Sequence, residues 1–197
     1  MTNPDLWKAL LPVVELFETH EVSYYIGGSV ASSFTGMARA TQDADIAAEL
    51  RRAHLPALFF TLGSDYYIPE ARVVQAVEKR GSFNLIHLET AFKIDVFVTA
   101  SGPFERACMA SRVRIEIPEL GRALEFCSPE DIVLHKLQWF EAGNRTSDRQ
   151  WQDLLGVLRI QGDRLDRDRL KSWAAQLELS ELLDRALREG GIESTPY

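Results

Sequence analysis

The sequence predicts an α+β protein: a mixed β-sheet core with flanking helices over residues 1–127, then a C-terminal helical region, 128–197, packed on that core. Three observations carry this expectation. Helical and strand periodicities interleave up to about residue 127. Beyond it every periodic segment is helical. The chain has 197 residues and 46% hydrophobic content, enough to bury a core in one domain plus an appendage.

The elements follow in order. Leu6, Leu10, Val13, Val14 and Phe17 recur at helical spacing between Asp5 and Thr19, with Pro4 ahead of them and Asp5 or Asn3 as the cap. Val22 to Ile26 is β-branched and aromatic and stops at Gly27-Gly28, which predicts a strand entering a tight turn. Ser29 to Phe34 reads as a short helix ended near Gly36, and residues 37–42 as a loop. From Asp43 to Leu50 the pattern alternates. Ala44, Ile46, Ala48 and Leu50 share one strand face, and Asp43, Asp45, Ala47 and Glu49 share the other. Helices are expected over 54–62 and 69–79, the second opened by Pro69. Phe83 to Leu88 and Lys93 to Thr99 read as two strands joined by Glu89 to Phe92 in a hairpin. A short helix near 103–110 precedes a strand at Arg112 to Pro118. Ser128-Pro129-Glu130-Asp131 then has the layout of a helix start: a Ser cap, Pro at the first helical position and an acid three residues after the cap. Helices are expected at roughly 129–141, 147–159, 166–177 and 180–188.

Composition narrows the function. Charged residues make up 26%, as in ordinary globular chains, which argues against wholesale disorder. The net charge is −7 and the pI about 5.2, a poor basis for broad nonspecific nucleic-acid binding. Cys108 and Cys127 have neither metal-type spacing nor the makings of a disulfide framework, which fits reduced thiols. The N-terminal stretch lacks the basic flank and long apolar run of a signal peptide, and no apolar run approaches a bilayer span. The expectation is a cytoplasmic protein with no membrane association.

The chemistry concentrates in Ile26 to Ile46. A strand ends in Gly27-Gly28, Ser29 opens a helix, a loop carries Arg39 and Thr41, and Asp43 and Asp45 stand two apart on a strand. Glycines let the backbone approach an anion, and the first amides of a helix point at it. A plain strand-to-helix turn would have the same sequence. Residues i and i+2 of a strand point the same way, with Cα atoms ~6.6 Å apart. Two such carboxylates can share a hard divalent ion such as Mg²⁺ or Mn²⁺; they also suit a solvent-facing edge. Asp disfavours strands, however, and like charges side by side repel without a cation. Asp95 is the third acid. It stands alone in the apolar run Ile94 to Val98, where it could complete a three-carboxylate metal site or simply pair with Lys93 or Arg80.

This order of motifs, Gly-Gly-Ser, then Arg39-x-Thr41-x-Asp43-x-Asp45-Ile46, then a strand with a lone Asp, resembles the nucleotidyltransferase superfamily that shares the polymerase β fold. Within it the chain is similar to AbiEii-like enzymes of the abortive-infection and toxin type, over roughly residues 20–160. The resemblance implies transfer of a nucleoside monophosphate from a nucleoside triphosphate, ATP or GTP, to a hydroxyl acceptor: a tRNA, a protein or a small molecule. It implies that Asp43, Asp45 and Asp95 are catalytic and hold Mg²⁺ or Mn²⁺, with Asp95 also activating the attacking hydroxyl. Gly27, Gly28 and Ser29 would form the phosphate turn, with Gly28 and Ser29 holding the β- and γ-phosphates, and Arg39 and Thr41 would shape the adjoining loop. AbiEii-like enzymes also carry a Lys on one helix and an Asp on the next. Here these are Lys136 and Asp153, which would serve the nucleotide; the plain alternative is a surface lysine and a first-half helix acid. A toxin role would bring an antitoxin partner. A non-catalytic nucleotide- or partner-binding module of the same fold is the competing expectation.

Other polar and aromatic residues are assigned to structure. His87 is expected to be structural or surface rather than a general base. Trp139, Phe140, Trp151 and Trp173 are expected to pack the helical region.

Overall fold

The computed structural model describes residues 4–37, 41–99 and 101–192. Arg39 and Asn3 lie outside them. The chain divides into two compact units. One holds residues 1–30 and 40–126, the other residues 31–39 and 127–197.

The first unit is built on a seven-stranded mixed sheet. Its strands are β1 (Tyr24–Ile26), β2 (Asp43–Ala48), β3 (Tyr66–Tyr67), β4 (Ser82–His87), β5 (Lys93–Val98), β6 (Val113–Ile117) and β7 (Arg122–Phe126). Their order is β3-β4-β5-β2-β1-β7-β6. The pairs β2–β5 and β1–β7 are parallel and the other four antiparallel. Four helices belong to this unit: α1 (Pro4–Thr19), α3 (Leu55–Leu62), α4 (Glu70–Lys79) and α5 (Pro103–Ala110). The division between units falls inside α2 (Gly28–Thr35).

Alternation sets the core. Ala44, Ile46 and Ala48 of β2 and Ile94, Val96 and Val98 of β5 are buried on one face. α1 packs against both strands, and its Leu6, Leu10, Val13, Val14 and Phe17 are buried as their spacing predicts. The opposite face of β2 and β5 carries Asp43, Asp45, Lys93 and Asp95, all half-buried.

Three details differ from expectation. β3 and β7 were not foreseen. β3 is a two-residue edge pairing, and Arg-Ala-Leu-Glu-Phe of β7 holds no β-branched residue; its place is set by distant partners, β1 and β6. Pro69 is the N-cap of α4 rather than its first helical residue, with backbone angles of −78° and 78°. β2 ends at Ala48 rather than Leu50, although Glu49 N–H still donates to the Ser23 carbonyl at 2.9 Å.

The second unit is helical: α6 (Pro129–Ala142), α7 (Asp148–Gln161), α8 (Arg167–Gln176) and α9 (Ser180–Glu189). Side-chain oxygens of Ser128, Ser147 and Asp166 cap the first three, each accepting from the amide three residues on. Trp151 stacks on Phe140 at 4.8 Å between ring centroids, lies 4.4 Å from the Arg185 guanidinium, and donates to Glu189 at 2.6 Å. The fully buried Asp131 accepts two bonds, at 2.7 and 3.0 Å, from Arg169. Among the described residues no helix is long and apolar enough to cross a membrane.

Candidate active site

β1 stops where its sequence turns to glycine. Gly27 extends the pairing with β2 by donating to the Asp45 carbonyl at 2.8 Å. Gly28 follows with φ +54°, a left-handed conformation that side chains resist. A Cβ placed there would sit 1.7 Å from Asp45 Oδ2. The carboxylate therefore lies directly against the Gly28 backbone, and only glycine allows it. Ser29 occupies the first turn of α2, half-buried beside this approach.

The β2–β5 register completes the arrangement. Parallel pairing sets Asp45 opposite Asp95 and Asp43 opposite Lys93. Paired residues of adjacent strands point to the same face, so three carboxylates and one ammonium share it. The Thr41 hydroxyl donates to Asp43 Oδ1 at 2.7 Å and lies 3.1 Å from the Asp43 carbonyl, tying the loop to the first acid. On the other side of β5, antiparallel pairing sets Asn84 opposite Asp95.

Lys93 Nζ is 2.6 Å from Asp95 Oδ2. The hydrogen bond to Asp95 raises the Lys93 pKa above its ordinary value, partial burial opposes this, and the charges of Asp95, Asp43 and Asp45 add to the rise. The ammonium thus feels all three acids. The face thus gathers carboxylate oxygens, the Thr41 hydroxyl and an excess of negative charge about one ammonium. Among the described residues no three His, Cys, Asp or Glu side chains are gathered at metal-ligand spacing.

Lys136 and Asp153 lie in the second unit and are brought together there. Lys136 Nζ donates to Asp153 Oδ2 and to Gln150 Oε1, both at 3.1 Å. The Lys136 side chain is 5% exposed and that of Asp153 10%. Lys136 is therefore no surface lysine, contrary to the plain alternative. Charges this buried are retained only when paired.

His87 lies on the buried face of β4, with Nδ1 2.8 Å from the Thr90 hydroxyl and its ring against Tyr66. It is structural and faces away from Asn84. Arg80 donates to the Leu50 and Thr99 carbonyls, so the partner of Asp95 is Lys93. Sequence reasoning overlooked Asn84 and treated Lys93 only as a partner for Asp95. Hairpin register could have found Asn84: once Ile86 faces Lys93 across the turn, Asn84 must face Asp95.

No protein-family model matches the chain, and no curated protein matches it significantly. Solved structures similar to it include the following three. Lincosamide antibiotic adenylyltransferase LnuA, solved with lincomycin bound, is 18% identical, with 78% of this chain and 96% of that one covered and a TM-score of 0.46. The antibiotic-resistance factor ANT(2'')-Ia is 16% identical, with 95% and 94% covered and a TM-score of 0.51. An antigenic nucleotidyltransferase-like protein from Paracoccidioides brasiliensis is 14% identical, with 94% and 93% covered and a TM-score of 0.53. The mixed seven-stranded sheet and the likeness to the last two of these structures show that the chain has the nucleotidyltransferase fold.

Proposed function

We propose that the chain is a metal-dependent nucleotidyltransferase that moves a nucleoside monophosphate from a nucleoside triphosphate to a hydroxyl acceptor. The observation that carries this is the β2–β5 register, which sets Asp45 beside Asp95 and Asp43 two residues along, with the Gly28 backbone against Asp45. Asp43, Asp45 and Asp95 would hold Mg²⁺ or Mn²⁺, whose bound charge would stabilise the attacking and leaving oxygens. Gly28 and Ser29 receive the β- and γ-phosphates through backbone N–H groups and a hydroxyl. Thr41 fixes the orientation of Asp43, and Arg39, two residues before Thr41 in the motif, would supply a phosphate cation. Asp95 accepts the proton of the acceptor hydroxyl as its oxygen bonds to the α-phosphorus. The bond from that phosphorus to the bridging oxygen breaks, and pyrophosphate leaves with the electron pair.

A small, cationic, hydroxyl-bearing molecule is the favoured acceptor. The net charge of −7 repels a polyanionic backbone, and an antibiotic-resistance factor shares the fold. A second reading is an AbiEii-like toxin acting on tRNA or protein and held by an antitoxin. The buried Lys136–Asp153 pair favours it, because that family carries a Lys and an Asp on successive helices. Both readings are cytoplasmic, in keeping with the buried, reduced cysteines Cys108 and Cys127.

The test is label transfer from each α-labelled triphosphate, with Mg²⁺ or Mn²⁺, to small-molecule, tRNA and protein acceptors in parallel. The wild type is expected to label a small hydroxyl compound, and Asp43→Ala/Asp45→Ala to lose at least about a hundredfold in rate. Labelled tRNA or protein would establish the second reading. Nucleotide binding with no labelled product in any arm would establish a non-catalytic module.

A further inference from the structure

The ammonium on the carboxylate face is part of the chain itself. Lys93 lies across from Asp43 in the register, two residues before Asp95 on the same face of β5, with its Nζ on Asp95 Oδ2 at 2.6 Å. Asp43 and Asp45 attract the same ammonium. Three acids on one half-buried face repel one another, and a single ammonium offsets only part of that charge. A divalent ion would balance it better, yet it would need the Asp95 oxygen that Lys93 already holds.

We propose that Lys93 is the resident counter-cation of this face: it holds Asp95 while no divalent ion is bound and releases it on loading, so that Lys93 sets how tightly the site takes metal. The inference rests on the metal-dependent reading above and adds to it a competitor within the chain. The exposure of the pair makes exchange feasible. The Lys93 and Asp95 side chains are 40% and 24% exposed, and pairs this open to water are held weakly enough to be displaced. The long side chain lets the ammonium swing into solvent while its backbone stays in the β2–β5 ladder. Asn84, across from Asp95 on β4, can then hydrogen-bond the carboxylate from its other side.

The test compares wild type, Lys93→Met, Lys93→Arg and Asp45→Asn by two readouts that need no turnover: Mn²⁺ affinity, from the spin-resonance signal of free Mn²⁺, and melting temperature with chelator or with Mn²⁺. Lys93→Met is expected to bind Mn²⁺ roughly two- to fivefold more tightly than wild type, the range an exposed ion pair allows. Its melting temperature should fall in chelator and recover with Mn²⁺. Lys93→Arg should stay within about twofold of wild type in affinity, and Asp45→Asn should bind Mn²⁺ more weakly than either. Mn²⁺ binding by Lys93→Met where wild type takes none would support the proposal still more strongly. If Lys93→Met melts lower but binds Mn²⁺ no tighter, Lys93 is merely structural and the proposal falls while the metal reading stands. If neither wild type nor Lys93→Met binds Mn²⁺, the metal reading falls and the proposal with it.

Discussion

Gly28 shows how one residue position carries both structure and site. Its left-handed φ of +54°, and the Asp45 Oδ2 that a Cβ there would meet at 1.7 Å, leave no room for a methyl group. Gly28→Ala must move the backbone or the carboxylate, at a cost of about 1–3 kcal/mol. Its melting temperature should fall, and label transfer should fall more than stability alone explains, because Asp45 would be displaced. At the other end of β1, the Tyr24 phenol donates to Glu18 Oε1 at 2.8 Å. Burial first, and then the bond to Glu18, push its pKa well above the ordinary value; burial does the same to Tyr66. A raised folded-state pKa gives stability that is complete below the unfolded value, about 10, and is lost as the pH climbs beyond it. Melting temperature should therefore decline steeply above about pH 10, and Tyr24→Phe should flatten that decline.

Among the elements, the helices and the hairpin were legible because their signals are local. Leu6, Leu10, Val13, Val14 and Phe17 share one helix stripe, and all five are buried in α1. Ser128 caps α6 through the Asp131 amide at 3.2 Å, as the Ser-Pro-Glu-Asp run predicts. The alternation around Asp95 places Ile94, Val96 and Val98 inside. β3 and β7 were not legible, because a two-residue edge and a strand without β-branched residues depend on partners far along the chain. The same holds for the role of Asp131. Its place three residues after a Ser suggests a helix start, while its main bond, to Arg169, joins α6 to α8. Arg169→Ala would leave a fully buried carboxylate without its guanidinium and should lower unfolding free energy by about 3–5 kcal/mol in urea titrations. Arg169→Lys should recover only part of it, since a shorter and more strongly hydrated ammonium replaces the guanidinium whose Nη2 meets both oxygens.

For the whole molecule, the identities of the acids could be read from the sequence, but their meeting depended on topology. Asp43, Asp45 and Asp95 stand out wherever they lie, because acids are rare in such strands. That β5 lies beside β2, in parallel and with Asp45 facing Asp95, follows from a sheet order that no local motif encodes. Lys93 took on significance only with that register, since it turned a neighbour in sequence into a cation among three carboxylates. Arg39 falls outside the described residues, so its assignment rests on the motif alone. The central claim is that this face cleaves a triphosphate at the α-phosphorus. The most direct test supplies α-labelled and γ-labelled triphosphate in parallel, with Mg²⁺ and the acceptor pool, and follows both the product and released pyrophosphate. Label passing to the acceptor from the α position alone, with one pyrophosphate released per transfer and none from Asp45→Asn, is the predicted result. Transfer of the γ label, or bound triphosphate that remains intact, would contradict it.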